Sequence, residues 1–78
     1  MNQNISTNIQ PISIPPQLPF LERICWDLNY VYDLTIIEML EAYERGWDYR
    51  DLFDLKEEEL KFIKQLALKY KSWLVADL

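Results

Sequence analysis

Apolar side chains follow a helical period most clearly between residues 54 and 78. They recur at spacings of three and four, which places them on one face of an α-helix at about 100° per residue. Asp54 and Glu57 have the spacing of a capping box, and Glu57, Glu58 and Glu59 carry the charge that favours a helix N-terminus. The pattern predicts a helix over about residues 55–75, whose core face comprises Leu60, Phe62, Ile63, Leu66, Ala67, Tyr70, Trp73 and Leu74.

Two shorter amphipathic helices are predicted before it. The first covers about residues 19–28, because Pro19 fits the first helical position and Leu21, Ile24 and Leu28 share one face. The second covers about residues 35–45. Its buried stripe comprises Ile36, Met39, Leu40 and Tyr43.

The ends of the second helix carry their own signals. Thr35 and Glu38 have capping-box spacing, although Asp33 is a competing N-cap. The only glycine, Gly46, follows the helix and is expected to form a left-handed C-cap. A short helical turn over about residues 49–53, bracketed by Asp48 and Asp51, then leads to the long helix.

The first seventeen residues have a different character. They carry no charged side chain, and Pro11, Pro15 and Pro16 fix φ and exclude the preceding residue from the α region. Residues 1–17 are therefore predicted to be an extended or mobile N-terminal arm, which Ile12 and Ile14 could attach to the domain.

Short connections between the helices favour antiparallel neighbours. The sequence thus predicts an all-α fold, a compact three-helix domain over residues 18–78 with a Pro-containing extended N-terminal arm. A helix-turn-helix arrangement has equally short loops and stays open.

Composition limits the chemistry that the chain can carry. There is no histidine, which removes the commonest general base and the usual zinc ligand, and one glycine cannot build a phosphate loop. Cys25 is alone and is expected to be a buried structural thiol, whose pKa the neighbouring Asp27 would raise. Asp48, Asp51 and Asp54 could face one cation, but two of them are better explained as the N-caps of the short turn and the long helix. We expect no enzyme activity, no metal and no cofactor.

Charge and cysteine usage indicate the setting. Residues 22–59 have a net charge of −8 and residues 60–78 a net charge of +3, so free nucleic acid would be repelled by most of the surface. No apolar run is long enough to span a bilayer, and the N-terminus lacks the pattern of a secretory signal. A cytoplasmic protein without membrane attachment is the expectation.

Four short stretches support a resemblance. Cys25-Trp26, the YERGW run at residues 43–47, Tyr49-Arg50 and the SWL run at residues 72–74 resemble a group of short uncharacterised cyanobacterial helical proteins. The resemblance covers about residues 18–74. It implies a self-contained unit and no particular activity.

The aromatic content favours a binding role. Trp and Tyr are the residue types that most often anchor protein interfaces, and Trp26 and Trp47 are expected to be partly exposed because Trp26 lies off its helix stripe and Trp47 follows a turn glycine. All three tryptophans could instead seal the small core.

A second apolar line is conceivable on the long helix. Leu68 lies among lysines and Val75 follows seven residues later, so the two could form a partner-binding seam or a homodimer interface, or simply be a singly exposed leucine and a fraying end.

The leading hypothesis is a small non-catalytic protein–protein interaction module, namely an adaptor, regulatory subunit or inhibitor with an acidic, aromatic-bearing helical surface. The alternative is a nucleic-acid-binding helical module that presents lysines of the last helix, including Lys61. The candidate partner-binding residues are Trp26, Trp47, Tyr49, Lys64, Leu68, Lys71 and Val75.

Overall fold

The computed structural model describes residues 12–78, which form three α-helices and three short 3₁₀ turns. The helices are α1 (Pro19–Ile24), α2 (Ile36–Gly46) and α3 (Glu57–Lys69), and the turns are Val31–Asp33, Trp47–Asp51 and Trp73–Asp77. Helix α2 packs against both α1 and α3, and the last turn packs against α3. No β-strand occurs within residues 12–78, so the predicted all-α three-helix fold is confirmed.

Helix α1 is shorter than predicted. It begins at Pro19 as expected but ends at Ile24, and a turn follows in which the Leu28 N–H donates to the Cys25 carbonyl at 2.9 Å. The turn leaves Leu28 half-exposed and brings Val31 into the core instead. The predicted extension to residue 28 was therefore wrong, because the chain turns after Ile24 and buries Val31, whereas the helical stripe would have buried Leu28 only by continuing.

Helix α2 has the predicted capping box. The Glu38 N–H donates to Thr35 Oγ1 at 3.1 Å, and the Thr35 N–H donates to Glu38 Oε1 at 2.8 Å. This reciprocal pair settles the choice of N-cap in favour of Thr35 over Asp33. The buried residues of the helix are Met39, Leu40, Ala42, Tyr43 and Gly46.

Gly46 does not form a left-handed cap. Its φ is −99°, and the chain passes directly from α2 into the right-handed 3₁₀ turn Trp47–Asp51. A Cβ at this position would lie 2.8 Å from Cβ of Ile24, closer than ordinary van der Waals contact. The glycine is explained by the close approach of α1 to α2 and not by backbone handedness.

Helix α3 differs from its prediction at both ends. Its N-cap is Lys56 and makes no side-chain capping bond, while the Asp54 carboxylate accepts from the Lys56 ammonium at 2.6 Å, so the predicted Asp54–Glu57 capping box is wrong. The helix ends at Lys69. Lys71 has a φ of 54°, and the Ser72 N–H donates to the Ala67 carbonyl at 2.8 Å, which is the bonding of a Schellman motif.

The left-handed residue after α3 separates the segment 73–77 from the helix. That segment forms its own 3₁₀ turn, with Leu74 buried and Trp73 56% exposed. Both Trp73 and Leu60 were assigned to the core face, and that assignment was wrong: Trp73 lies beyond the end of α3, and Leu60, although inside α3, is 37% exposed.

The core is rich in rings. Phe20 stacks on Tyr43 with ring centroids 6.1 Å apart and meets Trp47 edge-on at 6.2 Å, while Tyr43 meets Phe62 edge-on at 6.4 Å. Ile12, from the predicted arm, packs against this core, whereas Ile14 is exposed. Residues 1–11 of that arm lie outside the described residues.

None of the helices within residues 12–78 combines the length and the apolar character needed to cross a lipid bilayer.

Candidate functional site

A buried carboxylate joins all three helices. Glu59, in the first turn of α3, is 1% exposed. Its Oε1 accepts from the Phe20 N–H at 2.8 Å, and its Oε2 accepts from the Leu21 N–H at 2.9 Å and from the Tyr43 hydroxyl at 2.7 Å. One side chain of α3 therefore binds the backbone of α1 and a side chain of α2.

These bonds satisfy the N-terminus of α1. A helix begins with N–H groups that have no partner within the helix. Here Pro19 has no N–H, Glu59 takes those of Phe20 and Leu21, and the Leu18 N–H donates to the Tyr32 hydroxyl at 2.8 Å. Glu59 is thus an N-cap supplied from another helix, which explains why α1 is stable at six residues.

Tyr43 donates the side-chain hydrogen bond of the Glu59 cluster. Burial is the main cause that raises the pKa of Tyr43 far above its ordinary value, and the charge of Glu59 and its hydrogen bond act in the same direction. Tyr43 therefore stays neutral and donates to the carboxylate. Glu59 is buried, and both of its oxygens accept hydrogen bonds from groups of the protein itself.

The burial of Glu59 could have been predicted from its position on the helix, although the two glutamates before it suggest an exposed charged turn. Glu59 was grouped with Glu57 and Glu58 as charge that complements the helix dipole, yet it lies three and four residues before Phe62 and Ile63, which are both buried. An acidic residue on the apolar face of a helix indicates a buried partner.

Cys25 is a buried free thiol, as expected. Burial is the largest cause that raises its pKa; Arg45 lowers it and Asp27 raises it further. A buried thiol with a raised pKa is a weak nucleophile.

Trp47, one of the predicted partner residues, is not partly exposed as expected. It is 2% exposed and lies in the ring cluster, because the chain continues α2 as a right-handed turn and does not expose the residue after Gly46. Arg50 covers it: the guanidinium carbon lies 5.1 Å from the indole centroid, and Nη1 donates to the Trp47 carbonyl at 2.9 Å.

The other predicted partner residues are exposed. Trp26 is 83% exposed, which confirms its expected exposure, and the remaining residues in this group are Tyr49, Lys64, Leu68, Lys71 and Val75. Leu68 and Val75 do not form the predicted helical line, because α3 ends between them. Their role in a partner or homodimer interface stays a prediction.

An open groove of about 670 Å³ was not predicted. It runs between the Trp47–Asp51 turn, the connection to α3 and the C-terminal turn, and we call it the acidic groove. Its apolar wall comprises Trp47, Leu52, Phe53, Leu55 and Leu60, and its charged residues are Arg50, Asp51, Asp54 and Asp77. Asp77 is distant in sequence from the other charged residues, so only the folded chain brings them together.

The acidic groove is tied to the Glu59 cluster through Phe20. Glu59 fixes the Phe20 backbone, and the Phe20 ring contacts Trp47 at 6.2 Å and Phe53 at 6.5 Å between centroids. The buried carboxylate therefore positions the wall of the groove.

Within residues 12–78 no group of three or more His, Cys, Asp or Glu side chains has an arrangement that could hold a metal ion. Comparison of the chain with protein-family models, with curated proteins and with solved structures finds no match. The resemblance to short cyanobacterial proteins stays a prediction.

Proposed function

We propose that the protein is a small non-catalytic protein–protein interaction module that acts as an adaptor, regulatory subunit or inhibitor. The observation that carries the proposal is that large aromatic side chains are exposed although the protein has a buried aromatic core to hold them. Trp26 and Trp73 are more than half exposed, although the core buries the smaller rings of Phe20 and Phe62. Tryptophan is enriched among the residues that dominate binding energy at interfaces.

Charge supports a basic partner. Twelve of the thirteen acidic residues lie within residues 22–59, which form most of the domain, and nearly all of them are exposed. Such a field speeds association with a basic surface and rejects acidic ones. The same field disfavours nucleic acid.

The lysines of α3 give the alternative function less support. Lys61 lies 3.9 Å from Glu57, and α3 exposes Glu57 and Glu58 beside its three lysines. Carboxylates beside the lysines reduce what the lysines gain from phosphate contacts. We propose a cytoplasmic setting because the lone Cys25 is a free thiol, as is usual in a reducing compartment.

Affinity capture from the native lysate tests the proposal. The tagged wild type is compared with Trp26→Ser and Trp73→Ser, and Ile37→Ser is the control for losing an exposed apolar side chain that is not aromatic. We expect a stoichiometric protein that is retained by the control and lost by at least one tryptophan variant. Capture of nucleic acid alone, in a salt-sensitive manner, would favour the alternative.

A further inference from the structure

The acidic groove has the volume of a ligand site. Its volume of about 670 Å³ lies within the range of about 300–1,000 Å³ typical of such sites. In its apolar lining Leu52 is 71% exposed and Leu60 is partly exposed, while Phe53 and Leu55 are partly buried. The wall can therefore cover one large apolar side chain of a ligand.

The charge of the groove lining is negative. Within the described part of the chain its three carboxylates, Asp51, Asp54 and Asp77, outnumber its one cation, Arg50, which donates to the Trp47 carbonyl and lies over the Trp47 ring. Asp54 is paired with Lys56, but Asp51 and Asp77 have no ion-pair partner within 4.0 Å among residues 12–78. Two unpaired carboxylates beside an apolar wall complement a ligand that has a cationic group on each side of an apolar anchor.

Trp47 provides a reporter in the wall. Its Nε1 is buried and has no hydrogen-bond partner within the described residues. The indole N–H resonance is therefore not fixed by an internal bond, and its chemical shift should respond when a ligand alters the packing of the groove.

From these observations we propose that the acidic groove binds a short basic segment of the partner protein, with a central large apolar side chain against Leu52 and Leu60 and flanking Lys or Arg side chains against Asp51 and Asp77. This inference rests on the proposed function and gives it a site and a ligand class. It places the basic contact in the groove, away from Trp26.

Titration of the full chain with a series of capped pentapeptides, followed by indole ¹H–¹⁵N NMR, tests the inference. The peptides carry Leu, Ile, Phe or Trp at the centre and Lys elsewhere, and the same series with Glu in place of Lys is the charge control. We expect at least one basic peptide to shift the Trp47 resonance saturably while the Trp26 resonance stays in place, and the acidic series to have no effect. If no basic peptide shifts Trp47, the inference is wrong.

Variants locate the contact. Asp51→Asn with Asp77→Asn should weaken peptide binding about tenfold, since each exposed ion pair contributes only a few-fold. Asp27→Asn with Asp33→Asn is the matched control, because both residues are exposed, carry the same charge and lie outside the groove. Equal weakening by both double variants would show a non-specific charge effect and overturn the inference.

Apolar variants and lysate capture separate the two proposals. Leu52→Ser should reduce peptide affinity, and Ile37→Ser, which removes an exposed aliphatic side chain outside the groove, should not. If the groove variants bind the lysate partner as wild type does while Trp26→Ser does not, the groove inference fails and the interaction function stands.

Discussion

Replacement of Glu59 by leucine removes the acceptor that joins the three helices. Leucine has a similar volume, so the main loss is of hydrogen bonds and not of packing. The amides of Phe20 and Leu21 and the hydroxyl of Tyr43 would lose their acceptor. Each buried donor without a partner costs about 1–3 kcal/mol.

The three costs are not fully additive, because the donors share one side chain and can relax together. Removing one partner of a buried charged network typically costs about 3–5 kcal/mol, and we expect that magnitude for Glu59→Leu. A chain of 78 residues is expected to be stable by about 4–12 kcal/mol. The variant should therefore lose a large part of its free energy of unfolding.

Glu59→Gln refines the expectation. The single amide oxygen can take the place of Oε2 and keep the bonds from Leu21 and Tyr43, but the amide group then faces the Phe20 N–H. One charge-assisted bond is lost, so the cost should be about 1.5–3 kcal/mol. Glu58, which is exposed in the same helical turn, is the matched control, and Glu58→Gln should change stability by less than about 0.5 kcal/mol.

Urea unfolding followed by circular dichroism measures these differences, and hydrogen exchange localises them. The amides of Phe20 and Leu21 should exchange faster in Glu59→Gln than in the wild type, while those in the middle of α2 change only with global stability. A Glu59→Leu variant within about 1 kcal/mol of the wild type would refute the capping role of Glu59.

Three further predictions concern the backbone and pH. Gly46→Ala should destabilise the protein by about 1–3 kcal/mol, because the new Cβ meets Ile24, and urea unfolding should show a smaller loss in an Ile24→Ala background. Lys71→Gly should stabilise it by about 0.5–1 kcal/mol in the same assay, since glycine adopts the left-handed φ of 54° without the steric cost that lysine bears; a loss of stability would contradict the Schellman assignment. The pKa of Tyr43 is raised above its unfolded value of 10.0, so its contribution to the free energy of unfolding should be complete below pH 10 and should be lost as the pH rises further. The loss should be about 1.4 kcal/mol per pH unit, and urea unfolding of Tyr43→Phe should show a slope that is smaller by that amount.

Local signals in the sequence predicted the fold well. The Thr35–Glu38 capping box, proline at the start of α1 and the apolar period of α3 each depend on neighbours within four residues, and each appears in the structure. The ends of α1 and α3 were placed too late, because the apolar period continues through segments that the chain uses for a turn and for a left-handed cap.

The candidate site was less predictable, because it depends on contacts between distant residues. Glu59 and Phe20 are 39 residues apart, and Asp77 meets Asp51 at the groove only after the C-terminal turn folds back. Trp47 was expected to be partly exposed because Gly46 before it was predicted to form a left-handed cap. Gly46 is right-handed, and Trp47 is buried. Trp26 was correctly expected at the surface, because it lies off the stripe of its own helix.

The stability of this protein and its proposed peptide site are connected through the ring of Phe20. Glu59 holds the backbone of Phe20, and the Phe20 ring supports Trp47 and Phe53 in the wall of the acidic groove. A variant that loosens α1 should therefore weaken peptide binding even when it remains folded, and Glu59→Gln offers that comparison.

Affinity capture from the native lysate tests the central claim, a protein-interaction module with exposed tryptophans, most directly. We expect one stoichiometric partner protein with a basic surface, retained by Ile37→Ser and lost by Trp26→Ser or Trp73→Ser. Capture that is identical for all these folded variants, or an eluate without a partner, would contradict it.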